Sequence, residues 1–256
     1  MDFRTPTRVA ITGAAGFLGR SLVQVLGEHF PLRLLDVVPI PGTWDSRVGD
    51  VSQLEDALSL CEGCSDLVIG HMAPNRPEIY GTPTLPFDVN VKGTANLFHA
   101  ACTHGIKRVV LISSISVVQG HQNAGEFLTR DLSPDPRAMY PLTKVLQEQT
   151  AHYYHQAHGL EVAVLRPAYI CDEDTVSDKY GRHLLTVNWQ FIDPRDIAEA
   201  TRLALIAPQL TYEIFYLLGH PDADAHAEMG RLREFLGWKA KHTFEKYPRD
   251  GEVPGT

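Results

Sequence analysis

Tyr140 and Lys144 stand four apart in Tyr140-Pro141-Leu142-Thr143-Lys144, a spacing that puts both side chains on one face of a helix. A phenol ordinarily titrates near about pH 10, too high for base work at neutrality. An ammonium alongside favours the phenolate, so Tyr140 could exchange a proton with a substrate hydroxyl or carbonyl. Ser114 follows the apolar run Arg108-Val109-Val110-Leu111-Ile112 and, from the end of a strand, could polarise the same substrate oxygen. Ser113 precedes it, and either serine could be that donor. A tyrosine and lysine at this spacing also occur by chance on ordinary amphipathic surfaces. Their order after Ser114, and after a glycine-rich turn near the start of the chain, is what points to proton transfer at a carbon–oxygen bond. Pro141 cannot donate a helical hydrogen bond, so a helix is expected to begin here with Tyr140 at its mouth.

The positioning elements are legible too. Thr12-Gly13-Ala14-Ala15-Gly16-Phe17-Leu18-Gly19 lies between the apolar run Val9-Ala10-Ile11 and apolar residues at helical spacing, Leu22, Val23, Val25 and Leu26. This reads as a buried strand, a tight turn and an amphipathic helix. Gly13 can take backbone angles closed to side chains. Gly16 would let the main chain approach a ligand, and Gly19 would let the helix pack on the strand. The free N–H groups at the helix start suit a pyrophosphate. The next apolar run, Leu32-Arg33-Leu34-Leu35, ends in Asp36, a carboxylate placed to accept both hydroxyls of an adenosine ribose and to repel the extra phosphate of NADP. NAD is therefore the expected cofactor. By itself, Asp36 could also cap a turn, the lesser of the two readings.

The rest of the chain is ordinary for a globular protein: 256 residues, 44% hydrophobic and 21% charged. A formal net charge of −8 argues against a nucleic acid or an anionic membrane as the main partner. No apolar run approaches the length of a membrane span, and Met1-Asp2-Phe3-Arg4-Thr5-Pro6 lacks a signal peptide's apolar core. With four cysteines and no dense framework, a reducing, cytoplasmic setting is expected. Cys61 and Cys64 form a CxxC pair without a second pair at zinc spacing, and read as small apolar residues. His152, His155 and His158 recur beside Tyr153 and Tyr154, which suits a partly exposed helix better than a ligand set. No metal site is assigned.

Strands and helices alternate along the first two thirds. Strands are expected at 47–51, 66–72, 108–112 and 161–165, and helices at 53–60, 87–104 and about 139–158. The helix over 87–104 would bury Val91, Ala95, Phe98 and Cys102 as one stripe. Four prolines between 74 and 86 make a loop at the carboxyl end of the sheet, where ligands bind in such folds. The fold class is α/β, a doubly wound parallel-sheet Rossmann fold with a small C-terminal substrate lobe. We divide it into an NAD-binding body over 1–167, with a helix at 194–206 packing back on it, and a mixed lobe over 168–256. That lobe includes a strand at 212–218, a helix at 225–236 and a tail without structure from Pro248.

As an ordered set, these pieces resemble the extended or atypical short-chain dehydrogenases/reductases of the NAD-dependent epimerase/dehydratase family. The matching stretches are the glycine turn, Asp36, Gly49-Asp50-Val51, His71-Met72-Ala73, Asn90 to Leu97, Ser113-Ser114, Tyr140 to Lys144, Leu165-Arg166-Pro167 and Phe191 to Ala198. The resemblance implies Tyr140 as acid/base, Lys144 as its modulator and ribose ligand, and Ser114 as donor to the reacting oxygen. It implies that Gly13, Gly16, Phe17, Leu18 and Gly19 flank the pyrophosphate. Asp36 would take the ribose, Asp50 and Val51 would bracket adenine, and Met72 and Ala73 would line the coenzyme's middle. The backbone after Pro167 would face the nicotinamide. Asn90 reads as a brace at least as readily as a catalytic group. Family members commonly dimerise through the helices at 87–104 and 140–158.

Two departures stand out. Val118-Gln119-Gly120 replaces the family's usual Val-Tyr-Gly, with one extra residue, so a substrate-facing aromatic is missing. The C-terminal lobe is also short, which resembles the compact uronate dehydrogenases, where a lobe arginine pairs with the substrate carboxylate. Arg182 is the candidate by position, although as a bare residue it reads first as a solvated loop charge beside Lys179. Asn75, in the proline-rich loop, is a further substrate-binding candidate. The expected function is an NAD-dependent oxidoreductase acting on a small sugar, a uronate or a related polar alcohol. The alternatives are a nucleotide-sugar epimerase or dehydratase with recycled NAD, and a non-catalytic dinucleotide sensor or scaffold.

Overall fold

Continuous apolar runs become the buried central strands of the sheet. In a computed structural model, which describes residues 4–74 and 76–251, a seven-stranded sheet is built from β1 (Val9–Thr12), β2 (Leu32–Asp36), β3 (Asp45–Val48), β4 (Asp66–Ile69), β5 (Arg108–Ile112), β6 (Glu161–Pro167) and, from late in the chain, Tyr212–Leu217. All neighbours are parallel, as β-helix-β connections require. From the late strand the order runs β6-β5-β4-β1-β2-β3, so the winding reverses between β1 and β4. The crevice at such a reversal is where ligands bind.

Side chains alternate along each strand and feed two cores. Val9, Ile11, Val68 and Val110 point to one face, where they meet α1 (Phe17–Gly27). Ala10, Leu67, Ile69 and Val109 point to the other, where they meet α2 (Leu54–Cys61), α3 (Gly93–Thr103) and α4 (Met139–His158). Burying each large aliphatic side chain contributes about 1.5–3 kcal/mol. Cys61 and Cys64 sit in the second core, where burial pushes the Cys61 thiol up to about 12.

The helix expected at 87–104 is real but begins as a π-helical stretch, Phe87–Lys92. The wider turn shifts the phase of the α-helical part beyond it, so the buried stripe is Asn90, Thr94, Leu97, Phe98 and Ala101. Val91, Ala95 and Cys102 lie only partly buried. Helix α4 starts one residue before Tyr140 and stops at Gly159, whose φ of +69° needs no Cβ there.

Beyond 168 the chain both builds a lobe and returns to the body. β7 (Tyr169–Asp172) pairs antiparallel with β8 (Ser177–Asp178) and parallel with β9 (Phe191–Ile192), over a small core of Cys171, Val176, Val187, Phe191 and Phe244. Helix α5 (Pro194–Ile206), capped by Asp193, packs on α1. β10 (Tyr212–Leu217) then joins β6 as the outermost strand of the main sheet, and α6 (Gly230–Leu236) packs on it. The helix expected from 225 is thus shorter, preceded by a 3-10 turn over Pro221–Ala225.

The expectation of an unstructured tail from Pro248 needs correction over 248–251. Val187 N donates to Pro248 O at 2.9 Å, and Asp250 N to Val187 O at 3.0 Å. The Asp250 carboxylate accepts from Thr186 and Asn188. Residues 252–256 lie outside the described residues.

Candidate active site

The ends of four strands, β1, β4, β5 and β6, and the starts of two helices, α1 and α4, meet at the crevice. The turn after β1 needs its glycines for separate reasons. Gly13 has a φ of +72°, and a Cβ there would lie 2.9 Å from Gly70 O and the His71 backbone. At Gly19 a Cβ would fall 2.0 Å from Gly13 O, so only glycine lets α1 close on the strand. α1 begins at Phe17 with no acidic residue in its first turn, leaving its N–H groups for an anion. Asp36, at the end of β2, accepts from Ala15 N at 2.9 Å and from Val38 N at 3.3 Å. That places a carboxylate beside the glycine turn. These residues fit a dinucleotide lying across the amino end of α1.

From that turn a cleft of 590 Å³ runs to the mouth of α4. Of the expected residues, Gly13, Gly16, Phe17, Leu18, Gly19, Met72, Ser114, Tyr140, Lys144, Pro167 and Arg182 line it. Asp36, Asp50, Val51 and Ala73 do not. Asp50 caps Ser52 N at 2.8 Å, Val51 packs under Gly93, and Ala73 is fully buried. Asn75 lies outside the described residues.

The two candidate serines divide. Ser113 turns inward, where its hydroxyl donates to Glu148. Ser114 faces the cleft together with Tyr140, and its hydroxyl acts to lower the phenol. Its oxygen also accepts from Ser116 N at 3.2 Å and Ser116 Oγ at 2.9 Å.

Lys144 Nζ donates to Ile112 O at 2.9 Å and lies 5.9 Å from the centre of the Tyr140 ring. Among the chain's own groups, burial dominates both members of this pair. Burial pushes Tyr140 above the ordinary phenol range, with only the nearby Ser114 hydroxyl opposing it. The lysine moves the other way. Burial first, and then the charge of Lys179, push Lys144 down to about 7 against the pull of Glu148.

The brace around Tyr140 comes from residues far apart in sequence. Asn90 is fully buried; it accepts from Ala73 N at 2.7 Å and donates to Thr143 Oγ1 at 2.9 Å and to the Tyr80 hydroxyl at 3.1 Å. Thr143 in turn donates to Tyr140 O at 2.8 Å. Asn90 is therefore the brace that its sequence context allowed. His71 bridges Thr12 Oγ1 and Val89 O at 3.0 Å each, and burial with the charge of Lys144 holds it neutral, at about 3. Tyr80 packs edge-on against Tyr140, ring centres 5.6 Å apart. It supplies an aromatic neighbour where the loop after Ser114 has none, and nothing local in the sequence marks it.

On the lobe side, Asp178 gathers the wall. Burial disfavours its charge, but hydrogen bonds from Tyr169 and Arg182 win and hold it down at about 2. Arg182 lines the cleft as an exposed side chain, and its guanidinium is paired with Asp178, with Nε at 2.7 Å, and donates to the Tyr169 hydroxyl at 3.0 Å. Lys179 and Arg76 line the same cleft. His155 Nδ1 is bonded to Leu160 O at 2.8 Å, and both His152 and His155 pack on Tyr212. No metal-holding cluster occurs among the described residues.

Comparison with known proteins shows the family and the fold. L-arabinose 1-dehydrogenase (NAD(P)(+)) of Haloferax volcanii is 32% identical over 218 residues, covering 78% of this chain and 83% of that protein. A uronate dehydrogenase of Pseudomonas syringae pv. tomato is 28% identical over 222 residues, covering 83% and 75%. A short-chain dehydrogenase/reductase superfamily protein from Agrobacterium tumefaciens, solved with bound NAD, shares the fold with a TM-score of 0.81 at 22% identity, over 93% of this chain and 94% of that one. Residues 9–186, from the first strand to the lobe wall, match the NAD dependent epimerase/dehydratase family, and the chain belongs to that family.

Proposed function

We propose that this chain is an NAD-dependent oxidoreductase that moves a hydride between the coenzyme and a carbinol carbon of a small sugar, a uronate or a related polar alcohol. The observation that carries it is that Ser114, Tyr140 and Lys144 line one cleft with the glycine turn, the Lys144 amine 5.9 Å from the centre of the phenol ring. Bound NAD supplies the nicotinamide carbon that takes or gives the hydride. Tyr140 takes the proton from the substrate hydroxyl, or returns it to a carbonyl. The Ser114 oxygen already accepts twice from Ser116, which leaves its own proton to direct at Tyr140 and the substrate oxygen. The Lys144 amine lies 5.9 Å from the centre of the Tyr140 ring, where its charged form favours the phenolate.

Gly13, Gly16, Phe17, Leu18, Gly19, Met72 and Pro167 hold the dinucleotide in this reading. Asp36 favours NAD over NADP through its charge. Ala73 acts from behind, presenting its N–H to Asn90. Asp50 and Val51 are assigned to the adenine edge by the family resemblance alone. Leu142 and Tyr153 are exposed on α4, and Leu85 just before the π-helical stretch, which supports a homodimer through α3 and α4. No described helix is long and apolar enough to cross a membrane. All four cysteines are unbonded, which supports the reducing cytoplasm as the setting.

The test is absorbance of the reduced coenzyme with wild type and Tyr140→Phe. Substrate-dependent accumulation over many turnovers, lost in the variant while coenzyme binding persists, is the expected result. Product formed without net reduction would mean that the coenzyme is recycled, as in an epimerase. A cellular role untouched by Tyr140→Phe would mean a scaffold.

A further inference from the structure

The wall of the cleft carries more positive charge than its own carboxylate answers. Asp178 is the acidic residue on that wall, and its oxygens are taken by Tyr169, by the Arg182 guanidinium and by the N–H groups of Tyr180 and Arg182. Arg182 is thereby neutralised. Lys179 and Arg76 are different: both line the cleft, and neither forms an ion pair among the described residues. Lys179 Nζ sits against soft, uncharged groups, Met72 Sδ at 4.0 Å and the Tyr180 ring at 5.2 Å, and the adjacent Asp178 pulls on its charge only from a distance. Lys179 stays open to solvent on the cleft, so an anion there can reach the amine. In a chain of net charge −8, two unanswered cations beside the acid/base pair reverse the local sign.

Their position is on the substrate side. The field of Lys179 reaches Lys144, and that of Tyr180 reaches both Tyr80 and Tyr140, so the 178–182 turn lies over the reacting end of the cleft. The turn is also preset, with Gly181 at a φ of +73° and its N–H bonded to Asp178 O at 2.9 Å. Resting on the dehydrogenase assignment and narrowing its substrate, we propose that Lys179, with Arg76, holds a carboxylate or phosphate of the substrate while Tyr140 works on its hydroxyl. The substrate is then an acidic sugar or a sugar phosphate, and not a neutral sugar.

Kinetics with NAD and three probes, D-glucuronate, D-glucose 6-phosphate and D-glucose, test this. One acidic probe should exceed glucose in kcat/KM by about 10- to 100-fold, the worth of a charge-assisted contact. The better of the two acids separates carboxylate from phosphate. Lys179→Met should erase most of that ratio without raising KM for NAD, and Lys179→Arg should keep most of it. Equal use of glucose by wild type overturns the anion site, as does a Lys179→Met effect confined to KM for NAD, which would place the coenzyme's phosphate on the amine. If no sugar reduces NAD, the dehydrogenase assignment has failed. The anion site is then judged by calorimetry of the same probes on NAD-loaded protein: binding lost in Lys179→Met sustains it, and no binding by wild type overturns it.

Discussion

Arg166 closes on both carboxylate oxygens of Glu148, Nε at 3.0 Å and Nη2 at 2.8 Å, and the pair is buried directly behind the reacting groups. Glu148 lies one turn beyond Lys144 on α4 and also receives the Ser113 hydroxyl. Arg166 extends to the Tyr216 hydroxyl at 3.2 Å, and Tyr216 to Thr129 O at 3.0 Å. One carboxylate thus ties α4 to the ends of β5 and β6, the three elements that carry Tyr140, Ser114 and Pro167.

Removing half of a buried pair leaves the other charge unanswered. Glu148→Gln should cost about 3–5 kcal/mol in urea unfolding, and Arg166→Met should cost a similar amount. The double variant Glu148→Leu with Arg166→Met should recover much of the loss. A Glu148→Gln protein as stable as wild type would contradict the role given to the pair.

Tyr140→Phe removes the proton carrier and little else, because the ring contact with Tyr80 survives. We expect kcat to fall by about 10²- to 10⁴-fold. Fluorescence titration with reduced coenzyme should show unchanged affinity. Retained turnover would rule Tyr140 out as the acid/base.

Lys144 should titrate near 7 by NMR of its side-chain carbons, and Lys179→Met should move that value upward, because the Lys179 charge helps to depress it. In the unfolded chain the lysine keeps its ordinary value of 10.5, so between about 7 and 10.5 the unfolded state holds the extra proton. Stability from this group is therefore fully present above 10.5 and lost as pH falls through 7. Its slope in that window is at most about 1.4 kcal/mol per pH unit. Lys144→Met should flatten it, as followed by denaturation at stepped pH.

Asp36→Asn keeps an acceptor for Ala15 N and discards the charge. KM for NAD should rise by about 10- to 100-fold and KM for NADP should fall. An unchanged ratio of the two would remove Asp36 from coenzyme selection.

The order of strands and helices through 167, the glycine turn and the Tyr140–Lys144 face were readable because each is set by local patterns. An apolar run, a turn that only glycine can make and a four-residue helical spacing need no distant partner. The choice between Ser113 and Ser114 was not readable, since adjacent strand residues face opposite sides and register alone decides which meets Tyr140. Tyr80, held by Asn90, packs directly on Tyr140 across 60 residues of chain, and no periodicity marks such a contact.

By itself, then, the sequence determined a doubly wound α/β body, a dinucleotide turn and a phenol–amine pair at the start of one helix. Only the tertiary structure decided that β10 returns to the main sheet, that Arg182 is answered by Asp178 and that Lys179 is left facing the cleft. It also set the electrostatics: burial raises Tyr140 and lowers Lys144, because the free energy of a charge depends on how much water the whole fold removes from around it.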